Sequence, residues 1–178
     1  ANISGVRLIQ TGSAACLTTG SPASAANYPG RIKVADLVLQ GVNNVTVNGT
    51  YGLICAGSQS LILENIQTSF FLNAGLAVGP CVDPVIYNCY ASYSQDAGLD
   101  LVYGADYQPS SYNAYNALII GGQYTQCKNA NIRLGTSSFG VKIIGVDVES
   151  AGNFYPGGTG YGLDVTGQTE ACGVYFSW

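Results

Sequence analysis

The feature that most constrains this 178-residue sequence is a four-residue phrase that returns at a fixed step. Gly52-Leu53-Ile54-Cys55, Gly75-Leu76-Ala77-Val78 and Gly98-Leu99-Asp100-Leu101 lie 23 residues apart. Asn131-Ile132-Arg133-Leu134 and Gly162-Leu163-Asp164-Val165 continue the series after longer steps of 33 and 31. Apolar runs this short, without a helical period, read as strands. A fixed step of about two dozen residues reads as a chain that stacks one short unit per turn. Composition points the same way: 9% of residues are charged, 24 are Gly and 13 are Tyr. Helices need charged outer faces, so an all-β chain with tight turns is expected.

A second column reinforces the first. Segments 37–41, 61–65, 85–89, 118–122 and 141–145 each begin on an aliphatic residue and reach Gly, Asn or Cys at the fifth place. A sharp bend is expected there, followed by a third strand such as 66–68 or 146–148. In the first turn, Leu17-Thr18-Thr19-Gly20 takes the place of Leu53-Ile54-Cys55-Ala56, preceded by a strand over 6–9. Three strands per turn give a single-stranded parallel β-helix, a solenoid of about six coils, roughly 30 Å long at ~4.8 Å per coil. Leu53, Leu76, Leu99, Ile132 and Leu163 should stack inside, with Cys55, Val78, Leu101, Leu134 and Val165 beside them. A β-sandwich is the competing architecture, but antiparallel strands would not hold one pattern in register over five units. Residues 1–178 then form one domain. The final segment breaks the repeat, and 167–178, with Tyr175, Phe176 and Trp178, is expected to cap the last coil.

Several functions are disfavoured. The net charge of −4 argues against nucleic acid, and no window of 18 apolar residues suggests a membrane helix. The chain has no His, which removes the usual general base and the commonest metal ligand. Its six cysteines form no C-x-x-C pair, so neither a metal site nor a cofactor is expected, and buried free thiols are preferred to disulfides. A start at Ala1 without any Met implies a processed or excised chain. Asn2, Asn44 and Asn48 open N-glycosylation patterns, which are expected by chance in a chain rich in Asn and Gly.

The outward place of the first strand reads Ile54, Ala77, Asp100, Arg133, Asp164. Acid, base and acid therefore stand in a vertical row, with Asp100 and Asp164 as the candidate catalytic pair and Arg133 as a substrate contact. Two carboxylates flanking a glycosidic bond suffice for hydrolysis; a surface ion-pair ladder is the structural alternative. Longer turns at about 21–30, 102–116 and 153–161 add loops, and the last two carry Tyr103, Tyr107, Tyr112, Tyr115, Phe154, Tyr155 and Tyr161. Tyrosines suit stacking on a sugar while hydrogen-bonding its edge, or packing of the loops on their own rod. Asp147 and Glu149 should point outward together, and Ile54 and Ala77 are apolar outward residues that a neighbouring copy could cover.

On these repeats, the low charge and the Gly/Asn/Tyr/Ser-rich surface, residues 32–166 resemble right-handed parallel β-helix proteins of the pectin-lyase-like class. The central rods of bacteriophage tailspikes and tail fibres are the nearest likeness. The resemblance implies a right-handed coil and a homotrimer within a virion tail appendage, hence an extracellular setting. It also implies recognition of a bacterial surface polysaccharide, often with depolymerase cleavage by paired carboxylates, here Asp100 and Asp164, and neither a nucleic-acid nor a membrane partner. A secreted microbial hydrolase or lyase and a non-catalytic rod or adhesin segment remain alternatives. The polygalacturonase branch is ruled out by its histidine; Arg31-Ile32-Lys33 matches its basic tripeptide in letters only.

Overall fold

Strand, bend and Gly/Asn punctuation alternate along the chain as the repeats require. The computed structural model describes residues 6–11, 13–19, 30–42, 50–101, 114–135, 138, 140–153, 155, 157–165 and 173–175, with backbone alone for 114, 115 and 173–175. Among them the chain is all-β, with no helix. The strands are β1 (Val6–Gln10), β2 (Leu17–Thr19), β3 (Arg31–Gly41), β4 (Tyr51–Cys55), β5 (Ser60–Ser69), β6 (Ala74–Val78), β7 (Cys81–Val82), β8 (Val85–Tyr87) and β9 (Tyr90–Ser92). They continue as β10 (Ala97–Asp100), β11 (Ala114–Tyr115), β12 (Leu118–Ile120), β13 (Gln123–Thr125), β14 (Ala130–Arg133), β15 (Lys142–Ile144), β16 (Asp147–Glu149), β17 (Tyr161–Asp164) and β18 (Gly173–Tyr175).

Among the described residues every strand pairing is parallel. A six-stranded sheet runs β17-β14-β10-β6-β4-β2, and a ten-stranded sheet runs β16-β13-β9-β5-β8-β12-β15-β18, with β1 and β3 joined to it through β5. The larger sheet curls into a half-barrel because its long strands bend midway. The first half of β5 pairs with β8 and its second half with β9. β7 and β11 make a small two-stranded sheet of their own.

The first column stacks as its sequence predicts. Leu17 pairs with Leu53, Leu53 with Leu76, Leu76 with Leu99, Leu99 with Ile132 and Ile132 with Leu163. Leu53, Leu76, Leu99 and Ile132 are fully buried, as are Cys55, Val78 and Leu101, with Leu134 close behind. Val165 departs from this column and is 45% exposed, because it follows β17, the last strand of its described sheet. From the other side Leu39, Leu63, Ile66, Phe71, Ile86, Ile119 and Tyr124 complete the core. The phrase begins with glycine for want of space: a Cβ at Gly75 would stand 2.2 Å from the Thr68 Oγ1 and 3.0 Å from the Gly98 carbonyl oxygen. Asn131 replaces glycine in one repeat and is fully buried. Its side chain there accepts from the Cys127 N–H and donates to the Glu149 carbonyl.

The second column needs correction. Ile62, not Leu61, pairs with Val85, and Leu118 pairs with Lys142 rather than Val141. Segment 37–41 belongs to the following strand, since Ile32 pairs with Leu61 and Leu37 with Ile66. Continuous aliphatic runs such as Leu61-Ile62-Leu63 satisfy an alternating pattern in either register, and the bend decides between them. The residues at the bend are Asp36, Asn65, Asn88, Gly121 and Gly145, all with φ between 50° and 60°. Only Gly, Asn and Asp visit that conformation readily. The amides form a ladder: Asn88 donates to Asn65 at 2.8 Å and Asn65 to Asp36 at 2.9 Å. A second bend, before the six-stranded sheet, places Phe70, Tyr93, Gln126 and Ser150 at positive φ, and the Phe70 and Tyr93 rings stack with centroids 4.9 Å apart.

Cys16, Cys55, Cys81, Cys89 and Cys127 are free thiols. Burial pushes Cys55, Cys89 and Cys127 up to about 12 and Cys81 to about 11, so these four pack as small hydrophobes. The segment expected to break the repeat does not do so where it is described. Gly173–Tyr175 adds one more parallel strand, with Val174 opposite Ile143. Ahead of β17, the Gly160 and Tyr161 N–H groups donate to the carbonyls of Lys128 and Asn129 in the preceding repeat. Asn2, Asn44, Asn48, Cys172, Phe154, the remainder of 167–178 and most of the first two insertions lie outside the described residues.

Gly75→Ala should lower stability by about 1–3 kcal/mol through overpacking. Gly121→Asn, at the bend already occupied by Asn65 and Asn88 and with open space around it, should change stability by no more than about 0.5 kcal/mol. Urea midpoints of the two variants against the parent check both.

Candidate functional site

The stacking register brings the predicted row together. Asp100 is paired with Ala77 on one side and Arg133 on the other, and Arg133 with Asp164. The Arg133 Nη1 lies 3.6 Å from the Asp100 Oδ2, and its Nε 3.6 Å from the Asp164 Oδ2. These are ion pairs, too long for direct hydrogen bonds. The close partner is one that the row alone did not reveal. Asp96, just before β10, accepts from Arg133 Nη1 at 2.7 Å and Nη2 at 2.6 Å in a bidentate fork. Asn129 donates to the same carboxylate at 2.8 Å, and the Asp96 carbonyl accepts from the N–H groups of Asn129 and Ala130.

Burial alone would push the Asp96 carboxyl up; hydrogen bonds from Arg133 and Asn129, with the charges of Arg133 and Lys128, hold it below the usual carboxylate value. Arg133 moves the opposite way. Its hydrogen bond to Asp96 outweighs burial, and with the charges of Asp100, Asp96 and Asp164 it raises the guanidinium further above its already high value. A proton acceptor for lyase chemistry must release its proton, so Arg133 acts as a fixed cation and not as a base. Three carboxylates share this one cation, which lies between Asp100 and Asp164. An inverting hydrolase holds a water between carboxylates about 6.5–9.5 Å apart; here the gap contains a guanidinium tied down by Asp96.

The other predicted contacts divide. Tyr161 stands one row away, opposite Ala130, and is 51% exposed. Tyr155 is half-buried, its hydroxyl donating to the Tyr93 carbonyl at 2.9 Å and its pKa raised mainly by burial. Tyr103, Tyr107 and Tyr112 lie outside the described residues; the Tyr115 backbone pairs with Val82 in β11, and its side chain is outside them. Asp147 and Glu149 are both exposed, as expected, on β16. Ile54 and Ala77 are not an open apolar surface: Ile54 is 7% exposed and Ala77 fully buried, packed with Ala74, Ala97, Ala15 and Tyr51 of the same chain. They are therefore not available to a neighbouring copy. Among the described residues no group of three or more His, Cys, Asp or Glu is arranged to hold a metal.

Asp96 was legible in one respect. Two places before the phrase stand Asn73, Asp96 and Asn129 in three successive repeats, a column of polar side chains able to hydrogen-bond along the stack. Its link to Arg133 runs diagonally between columns, where comparison of equivalent positions does not look. Comparison with protein-family models, curated proteins and solved structures finds no match to this chain.

Because the folded-state pKa of Asp96 is depressed, its stabilisation is present above the unfolded carboxylate pKa of about 3.9 and is lost as pH falls through the folded value. Urea midpoints measured from pH 7 to pH 2 should therefore fall more steeply below about pH 4 in the parent than in Asp96→Asn. Arg133→Gln should cost about 1–3 kcal/mol at pH 7, between the values for exposed and buried pairs, and less at pH 3, where the Asp96 carboxyl, no longer held down by Arg133, takes up a proton.

Proposed function

We propose that the chain winds as a single right-handed parallel β-helix of about six coils and serves as a host-recognition module of the bacteriophage tailspike or tail-fibre kind, binding a bacterial surface polysaccharide. Support for the coil is the pairing of each repeat with the next in parallel, and connections between parallel strands are right-handed in about 98% of cases. The observation that carries the glycan reading is the Asp96–Arg133 fork with Asp100 and Asp164 beside it, near the exposed ring of Tyr161. Fixed carboxylates and a guanidinium suit the paired hydroxyls of a sugar, and an amphipathic ring suits its face.

Recognition without cleavage at this row is the form we favour, because the cation between Asp100 and Asp164 is anchored by a third acid. The same anchoring favours a second reading, a non-catalytic rod or adhesin segment, in which the charges satisfy only one another. A homotrimer within a virion tail would cover the outer side of β8, β12 and β15, where Tyr87 is 47% and Ile144 41% exposed beside half-buried Val85, Leu118 and Ile120.

Incubation with a panel of capsular and O-antigen polysaccharides tests the reading. The expected result is binding of one polymer, weakened about tenfold or more in Arg133→Gln, with no new reducing ends. Shortening of the polymer that disappears in Asp100→Asn or Asp164→Asn would instead make the row a hydrolase site. Binding to no polymer across a broad panel would leave the structural rod.

A further inference from the structure

We propose that a cleft on the outer side of β5, β9 and β13 is a carbohydrate subsite that holds one uncharged pyranose unit. It deepens the glycan reading and rests on it for the polymer, while its own chemistry is read from the residues that form it. The register aligns Gln67, Tyr90 and Gln123 in one outward row, and Ser69, Ser92 and Thr125 in the next. Between these rows and Tyr93 lies a cavity of about 240 Å³. That is below the ~300–1,000 Å³ of pockets for drug-sized ligands, so it suits a single ring.

The lining has no ionised side chain. Its polar groups are amides and hydroxyls, which both donate and accept, as sugar hydroxyls do. Among the described residues no hydrogen bond engages the side chains of Gln67, Ser92 or Thr125. The Gln123 amide is oriented by donation to the Asp147 carboxylate at 3.1 Å, which leaves its carbonyl and second N–H for a ligand. The aromatic members are held in place beforehand. The Tyr90 hydroxyl donates to the Asn88 Oδ1 at 2.8 Å, at the bend ladder. Tyr93 is stacked on Phe70, and its carbonyl is engaged by Tyr155. Rigid, amphipathic rings beside adaptable amides and hydroxyls bind with little ordering cost. Tyr155 thus acts behind the cleft, holding the backbone of a residue that lines it.

The test follows the side-chain amide resonances of Gln67 and Gln123 in the isotopically labelled full chain. Glucose, galactose, mannose, rhamnose and N-acetylglucosamine are added in turn at millimolar concentrations, with glucuronate as the charged control. The expected result is a saturable shift with at least one neutral sugar and not with glucuronate. Thr125→Trp, which fills the cleft from an outward position, should abolish it, and Gln67→Ala should weaken binding about fivefold or more, with the urea midpoint of each variant close to the parent. Absence of any shift with all five neutral sugars, an equal response to glucuronate, or a shift that persists in Thr125→Trp would overturn the proposal. The outcome is separable from the polysaccharide panel. Monosaccharide shifts with no polymer bound would uphold the cleft and sink the host-recognition reading. Polymer binding unaffected by Thr125→Trp would do the reverse.

Discussion

Parallel pairing one repeat apart is the constraint from which the rest of this structure follows. A strand in such a stack finds backbone partners only in the preceding and following repeats, so equivalent residues must lie directly over one another. Any local requirement is thereby imposed on a whole column. Glycine recurs at 52, 75 and 98 because the neighbouring repeat leaves no space for a Cβ, and Asp, Asn or Gly recurs at the bend because the backbone there takes positive φ. The inner leucines obey the same rule, each burying the one before it. The columns also reinforce one another, since the Asn65–Asn88 ladder fixes the height at which Leu63 and Ile86 meet in the core.

What the sequence made legible follows from how sharply each column is specified. The glycine-led phrase was read in full register, from Leu17 to Leu163, because one small residue marks where it starts. The second column paired Val85 with Leu118 as read, but was misread by one place at Leu61 and Val141 and by a strand segment at Leu37, because runs such as Leu61-Ile62-Leu63 offer no such mark. The signal that resolves it is the positive-φ column at 36, 65, 88, 121 and 145: the expected bend coincides with it at Asn65 and Gly145, and falls one residue late at Cys89 and Gly122. The Asp100, Arg133, Asp164 row was legible because it lies within one column. The tie between Asp96 and Arg133 was not, since a long arginine side chain reaches diagonally and takes the partner whose geometry permits a fork. The burial of Ile54 and Ala77 was hidden for a related reason: alternation identifies the outer side of a strand but not what covers it.

The row and the cleft place two kinds of chemistry on two different parallel sheets. On the six-stranded sheet, a single cation is shared among three acids, and the shortest contact decides its character. Held by Asp96, Arg133 is a permanent positive centre, unsuited to proton transfer but suited to fixed hydrogen bonding. On the ten-stranded sheet, amides, hydroxyls and tyrosines line a cleft without formal charge. On the proposed reading, a surface polysaccharide would meet both kinds of group.

All of this depends on the register of the glycine-led column. Methyl–methyl nuclear Overhauser contacts in a Leu/Ile-labelled sample measure it directly. The account predicts an unbroken series, Leu17 to Leu53, Leu53 to Leu76, Leu76 to Leu99, Leu99 to Ile132 and Ile132 to Leu163, with each methyl group meeting the next repeat's equivalent. A spectrum in which these residues contact offset or antiparallel neighbours but not one another would contradict the stack, and with it the meeting of Asp100, Arg133 and Asp164.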